Sequence, residues 1–367
     1  MFLKRTILFF VFALFFCAGC GGSKTKDTSN QMSVYDGGLC FTEDGVVYQN
    51  SEPGTVTGYF DYKTGNYMPL CAKSNCLHDS LECQAVYLRE YADFIGRIGD
   101  QWYYYVTGGW AEERGFHSCD LDGGNDKFIG DFPYVKGDGV ILFYDQECVL
   151  CTWDAKSDRE MEQEIVNVSG IYRYHLDNGE WETLCPEKET AYGPCYHLYG
   201  KYGDNLLYSE REGKKSVLKQ MNLKTKTVTE PLGDVFLSGA EMSGDLLLYW
   251  VVKPEGIKFM EWNMETGEQT EFSESGGYVF WSEDTKVITT FSEPGDEFWT
   301  YRCQDDGTCE LLRQGKREEA FLPVAKSGSL LLGRMWGKTG GFSALACMEQ
   351  EDYLAGKTNW TIVTEEK

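Results

Sequence analysis

Three cysteines and a histidine crowd one short stretch of the chain. In LCAKSNCLHDSLECQA (70–85), Cys71, Cys76, His78 and Cys83 follow the spacing C-x4-C-x-H-x4-C. Three thiolates and one imidazole make a complete tetrahedral set for structural zinc and leave no position for a substrate water, so the group points to a staple and not to catalysis. Two of the thiols can instead pair, as Cys71–Cys83 or Cys76–Cys83. The single residue between Cys76 and His78 departs from the spacing usual between zinc-finger ligands, and an oxidising compartment would favour the disulfide. Either chemistry closes a loop, and His78 separates the two, because a disulfide does not use it. Elsewhere Cys303 and Cys309 flank QDDGT (304–308) symmetrically, which sets them opposite each other across a hairpin at a separation that suits an S–S bond. Cys185 and Cys195, with Pro186 and Pro194 between them, form a second disulfide candidate. Cys148 and Cys151 have CxxC spacing without the strand-to-helix setting that lowers a thiol pKa, so they read as core.

Candidates for catalysis are few. The histidines are His78, His117, His175 and His197, and the chain has no G-x-S-x-G, H-E-x-x-H or Walker sequence. His117 and His175 fall on hairpin strands, where a packed histidine is the ordinary reading. DLDGGND (120–126) starts like a calcium loop but lacks the closing glutamate. With 58 acidic residues, some carboxylate pair will always lie at a separation suited to glycoside cleavage, so that pattern decides nothing. No catalytic residue is assigned. Segments between strands do gather acids and tryptophans, namely Trp110, Glu112, Glu113, Trp153, Asp154, Arg159, Glu210, Glu255, Glu293 and Trp336. Such a mixture suits a saccharide, a peptide or a protein ligand, although acidic loops in a chain of this charge also serve solvation alone.

The N-terminus addresses the protein. Lys4 and Arg5 precede an apolar run from Ile7 to Phe16, which has the layout of an export signal and is too short to span a bilayer comfortably. Cys17-Ala18-Gly19-Cys20 resembles the lipobox of bacterial lipoproteins, with cysteine in place of the usual leucine at its first position. That resemblance implies cleavage after residue 19, lipid attachment at Cys20, and residence on the outer face of the cytoplasmic membrane. Residues 20–32 are polar and free of aromatics, a flexible tether that holds the body on the order of 20 Å from the surface. The formal net charge of −24 excludes nucleic acid as a partner and disfavours adhesion to anionic head groups. A 42% hydrophobic and 15% aromatic composition excludes a disordered acidic tail.

One two-part unit recurs through residues 33–367. Its first half is a turn and an aromatic-rich strand: EDGVVYQ (43–49), IGDQWYYYV (98–106), KGDGVILFY (136–144), YGDNLLYSE (202–210), SGDLLLYWV (243–251), SEDTKVITT (282–290) and KSGSLLLGR (326–334). Its second half is a hairpin around a tight turn, as in YFDYKTGNYMPL (59–70) and YRYHLDNGEWETL (172–184). Four strands in about 45 residues is the measure of a propeller blade, so seven units predict an all-β, seven-bladed β-propeller acting as a monomer. The periodicity resembles TolB-like and WD-repeat-like propellers. Lipobox, propeller and a Cys/His motif after the first blade together resemble lipoproteins of Gram-positive anaerobes, a likeness that implies no particular activity. With strands a to d numbered from the axis outward, turns at Asp44, Asp100, Asp138, Asp204 and Asp245 join a to b. These turns share one face with the c–d hairpins, and 147–170 reads as a long b–c loop on the other. The expectation is a lipid-anchored, non-enzymatic binding platform; the alternative is a surface glycoside hydrolase or lyase on a propeller scaffold. Lipidation predicts that a fatty-acid analogue labels the wild type and not Cys20→Ala; an unlabelled wild type would refute it.

Overall fold

The computed structural model describes residues 33–365 apart from 37–38, 43, 49–55, 107–113, 133–139, 159–162, 191–192, 214, 234, 255, 275–276, 283, 293–295 and 337–341. Residues 1–19, read above as a signal, and 20–32, read as a tether beginning at Cys20, lie outside the described residues. After β1 (Ser33–Asp36), blade one comprises β2 (Leu39–Phe41), β3 (Gly45–Tyr48), β4 (Gly58–Asp61) and β5 (Asn66–Pro69). Helix α1 (Gln84–Tyr91) leads into blade two, β6 (Ala92–Ile98), β7 (Gln101–Val106), β8 (Gly115–Asp120) and β9 (Lys127–Gly130). Blade three is β10 (Val140–Tyr144), β11 (Glu147–Asp158), β12 (Gln163–His175) and β13 (Trp181–Thr190). Blade four is β14 (Tyr196–Tyr202), β15 (Asn205–Glu212), β16 (Lys215–Asn222) and β17 (Val228–Thr229), and blade five is β18 (Leu237–Ser243), β19 (Leu246–Lys253), β20 (Gly256–Asn263) and β21 (Gln269–Glu271). Blade six is β22 (Tyr278–Trp281), β23 (Lys286–Phe291), β24 (Glu297–Cys303) and β25 (Cys309–Lys316). Blade seven is β26 (Phe321–Ser327), β27 (Leu330–Trp336), β28 (Phe342–Glu349), helix α2 (Gln350–Leu354) and β29 (Thr361–Glu365).

These seven antiparallel blades form the expected all-β propeller. Its core is divided among seams. Trp102 to Val106 in β7 are buried whichever way they point, because a neighbouring blade covers each face. Every seam has its own apolar cluster: Trp102 and Val47 between blades one and two, Phe116 and Tyr174 between two and three, Leu142 and Tyr208 between three and four, Leu218 and Leu247 between four and five, Leu248 and Trp281 between five and six, Val287 and Leu331 between six and seven, and Phe60 and Leu332 between seven and one. The last contact closes the ring, with no strand exchanged between the first and last blades among the described residues.

Strand β1 departs from the repeat. It pairs antiparallel with both β2 and β10, the innermost strands of blades one and three, and merges these blades into one nine-stranded sheet. It therefore runs along the axis. The sequence reading of blade three also needs correction. Val140–Tyr144 is strand a, not b, and the a–b turn is Asp145-Gln146, both at positive φ (44° and 62°). A two-residue turn without glycine drew the reading to the glycines around Asp138, which lies outside the described residues. Residues 147–158 and 163–170 likewise belong to the long strands β11 and β12, whose polar far halves read as loop.

A basic residue two positions before an a–b turn reaches back to the aspartate in the preceding blade's turn. Arg97 pairs with Asp44, Lys201 with Asp145 at 3.6 Å, and Lys326 with Asp284. Burial pushes the Asp44 carboxyl up, but hydrogen bonds from Arg97 and Tyr59 outweigh it and hold the group below the usual carboxylate range. Lys326 does the same for Asp284. Because both groups are held low, this contribution is present at neutral pH and is lost as pH falls through the ordinary carboxylate range and below it.

Immediately before Arg97 and Lys201 stand Gly96 and Gly200. A Cβ at Gly96 would fall 2.0 Å from the Phe143 ring of blade three, whereas one at Gly200 would meet the mobile thioether of Met242 at 2.3 Å. Gly96→Ala is expected to lower the unfolding free energy by about 1–3 kcal/mol through overpacking. Gly200→Ala should cost less, because methionine repacks. Chemical denaturation checks this, and indistinguishable wild-type-like curves for both variants would contradict it.

Candidate functional site

The cysteine-rich stretch is the crossing from the outer strand of blade one to the inner strand of blade two. Buried Thr57 brings its ends together. Leu70 N–H donates to the Thr57 carbonyl at 3.1 Å, and Thr57 N–H donates to the Ala85 carbonyl at 3.0 Å. Residues 70–85 thus form a compact loop with closely placed ends. Cys71 follows one end, Cys83 precedes the other, and Cys76 and His78 lie on the excursion between them. Asn75 and His78 adopt left-handed backbone (φ 60° and 53°), which is costly for a histidine and marks a residue held by its surroundings.

One donor atom from each of Cys71, Cys76, His78 and Cys83 lies within 4.8 Å of all the others, and His78 Nδ1 is 3.2 Å from Cys83 Sγ. A tetrahedral zinc would set such donors roughly 3.5–3.8 Å apart, so a small contraction brings them to ligating distance. All three cysteines are free thiols. The His78 backbone N–H, outweighing a small desolvation, pulls the Cys76 thiol down, while burial pushes Cys83 up to about 11. This Cys3His cluster can bind a metal. Its affinity will fall in acid, because ligation requires deprotonated thiols.

The loop is built into the scaffold. Cys83 caps α1, with its carbonyl accepting from Val86 and Tyr87 N–H at 3.1 and 2.9 Å. Gln84 Nε2 donates to Tyr104 OH at 2.9 Å, Tyr104 hydrogen-bonds Asp126, and Asp126 Oδ1 lies 3.1 Å from Nδ1 of buried His117. Leu88 and Ala92 pack in the seam between blades one and two. Gly123, at φ 83°, allows the DLDGGND turn of blade two to rest on the crossing, since a Cβ there would lie 2.5 Å from the Leu70 carbonyl oxygen. The helix, the Thr57 anchor and this contact carry no ligand chemistry and were not legible in the sequence. The turn reading of DLDGGND agrees with the structure, and His117 is a packed, hydrogen-bonded histidine.

The remaining candidates are dispersed. Among the residues proposed for ligand binding, Trp110, Glu112, Glu113, Arg159, Glu255 and Glu293 lie outside the described residues. Trp153 and Asp154 sit on β11 opposite Ser169 and Val168. Glu210, near the far end of β15, pairs with Lys188 of blade three. Trp336 ends β27 at only 7% exposure, wedged against Phe291 and Tyr278 with the Arg317 guanidinium 4.1 Å from its ring centre. The described members therefore lie on three blades, with Glu210 and Trp336 near strand ends away from the a–b turns and Trp153 and Asp154 midway along β11. Cys185 and Cys195 are buried with Cys151 between blades three and four. Cys148 faces the opposite seam, with blade two, so the CxxC pair is split by its own sheet and serves as core. No helix among the described residues is long and apolar enough to cross a membrane.

No family model and no curated protein matches the chain. Solved propellers do. The chain is similar to an acylaminoacyl peptidase of Pyrococcus horikoshii at 12% identity and a TM-score of 0.52, over 93% of this chain and 53% of that one, so it spans about half the peptidase's length. Further matches include TolB from Acinetobacter baumannii (13% identity, TM-score 0.36, 85% of this chain and 76% of that one). A protein of Listeria monocytogenes EGD-e also matches (11% identity, TM-score 0.45, 80% and 86%). Identities this low show the fold alone.

Cobalt(II) titrated into metal-free, reduced protein reports on the cluster through thiolate-to-metal charge transfer. The wild type is expected to bind one equivalent, with binding weakened in His78→Ala and lost in the Cys71→Ser, Cys83→Ser double variant. An unchanged titration in both variants would show that these residues are not the ligands.

Proposed function

We propose that this chain is exported, held by lipid at Cys20 on the outer face of a bacterial cytoplasmic membrane, and acts there as a non-enzymatic platform for a saccharide, peptide or protein ligand. The direction of β1 carries the reading. Strands β2 and β10 both run toward the a–b turns, and β1 is antiparallel to each, with Ser33 opposite Phe143, two residues before the Asp145 turn. The chain therefore enters the ring from the turn face. Cys20 precedes Ser33 by 13 residues, a reach of at most roughly 45 Å. A lipid there roots the turn face toward the bilayer and leaves the opposite face outward, the face of the b–c loops, the d–a crossings and the candidate acids and tryptophans. Rigid scaffolds commonly present ligand-binding residues on such loops.

Strand β1 also supports binding over catalysis. It lies among the innermost strands β2, β6 and β10, along the axis where a propeller enzyme would need a deep pocket with convergent carboxylates. The same proposal assigns one structural zinc to Cys71, Cys76, His78 and Cys83, supported by the convergence of all four donors and the absence of a free coordination position. Its role is to order the outward rim over blades one and two. Glycan and peptide arrays probed with residues 21–367 test the platform. Retention of a ligand without turnover is expected, with affinity falling by about tenfold or more (~1.4 kcal/mol) when Trp110 and Arg159 are replaced by alanine. Release of cleaved sugar would overturn the reading in favour of a glycoside hydrolase or lyase.

A further inference from the structure

Between blades five and six lies a buried ion pair whose cover is a hairpin with a cysteine at each end of its turn. Lys286 and Glu261 are each 7% exposed, with Lys286 Nζ 2.8 Å from Glu261 Oε2 and the Trp281 indole N–H donating to the same carboxylate. The turn 304–308 closes over them, and Asp305 Oδ1 reaches Lys286 Nζ at 2.9 Å. Blade five holds that turn in return. Ser273 N–H donates to the Gly307 carbonyl at 2.9 Å. Gly307, at φ 85°, lies so near the Glu271 carbonyl that a Cβ would fall 2.2 Å from its oxygen. The hairpin of blade six is thus a clasp on blade five.

At its base, Cys303 and Cys309 are direct cross-strand partners. Gln304 N–H bonds to the Thr308 carbonyl at 2.8 Å, and Cys309 N–H turns away to Ser273 Oγ at 3.1 Å, so the cysteines occupy a non-hydrogen-bonded position of the ladder. In such a position the Cα atoms approach to about 4.5 Å, within the range a disulfide spans. The two sulfurs differ in access. Cys303 is 5% exposed in the seam cluster, whereas Cys309 is only partly buried.

We propose that Cys303 and Cys309 are a modification site at which thiol–disulfide exchange with a low-molecular-weight disulfide, or with the disulfide of an exported thiol oxidoreductase, locks the clasp. The Cys309 thiolate attacks one sulfur of the incoming disulfide, and the other sulfur leaves as a thiolate. Cys303 then gives up its proton and attacks the Cys309 sulfur, expelling the second thiolate. Two protein thiols are oxidised, one disulfide is reduced to two thiols, and no other reactant is needed. The order follows from access and is reinforced by the hydrogen bond between the sulfurs, which holds Cys309 near 6 and raises Cys303. Lys286 and Glu274 are the charged groups that bear on the pair.

Purified protein treated with oxidised glutathione tests this independently of lipidation and of any ligand. Peptide mass spectrometry is expected to find Cys303 and Cys309 joined, two hydrogen masses lighter than the reduced peptides, with a higher melting temperature than the reduced protein. Cys303→Ser should trap glutathione on Cys309, and Cys309→Ser should leave Cys303 unmodified. Wild-type Cys303 and Cys309 that both remain alkylatable after equilibration would overturn the proposal whether or not the variants fold, and glutathione trapped on Cys303 in place of Cys309 would overturn the order of attack.

Discussion

Consecutive residues of one strand show the constraint on which the ring depends. Leu142 in β10 is buried against blade four, and Phe143 beside it is buried against blade two. A sheet with two apolar faces needs two neighbours, and a row of such sheets leaves its first and last faces bare unless they meet. Here Phe60 and Val46 of blade one meet Leu332 and Leu345 of blade seven. Among the described residues no strand crosses that seam, and apolar burial closes it. The basic residues that clip a–b turns at three other seams add modestly, since such partly exposed ion pairs are each worth about 0–1 kcal/mol.

Closure by packing gives the irregular features a common purpose. Strand β1 is the one element among the described residues that places two blades in a single sheet, and it does so at the axis. The crossing from blade one to blade two is tied to Thr57, to the blade-two turn and to Tyr104. Its four metal-capable side chains gather where the rim would otherwise be a long unsupported excursion. The clasp at residues 304–308 covers the buried Lys286–Glu261 pair in a comparable way. Separating such a pair would leave a charge uncompensated, which makes its cover important.

Much of the architecture was legible because blades repeat. Apolar strands beside Gly- or Asp-containing turns marked six of the seven a–b corners, and hairpin turns marked the outer strands. Blade three escaped because Asp145-Gln146 turns without glycine, and because the outer halves of β11 and β12 are too polar to register as strand. In blade seven, α2 stands where the other blades have a tight c–d turn. The Cys3His spacing identified the donors, but the sequence left both zinc and a disulfide open and leaned toward the disulfide, and only the convergence of four side chains favours a metal. The axial course of β1 was invisible, since four residues carry no periodicity and their partners in β10 lie more than a hundred positions away. Trp336 looked like a loop-face aromatic, and nothing local announced that Arg317 and Phe291 would enclose it.

Native-state hydrogen exchange on Leu332→Ala tests most directly whether packing alone holds the ring shut. The substitution trims the seam between blades seven and one and touches no hydrogen bond. If that seam is the closure, backbone amides of Val46 and Val47 in blade one should lose protection together with Leu331 and its neighbours in blade seven, while Leu206 to Tyr208 in blade four keep theirs. Accelerated exchange confined to blade seven, with blade one unchanged, would contradict it.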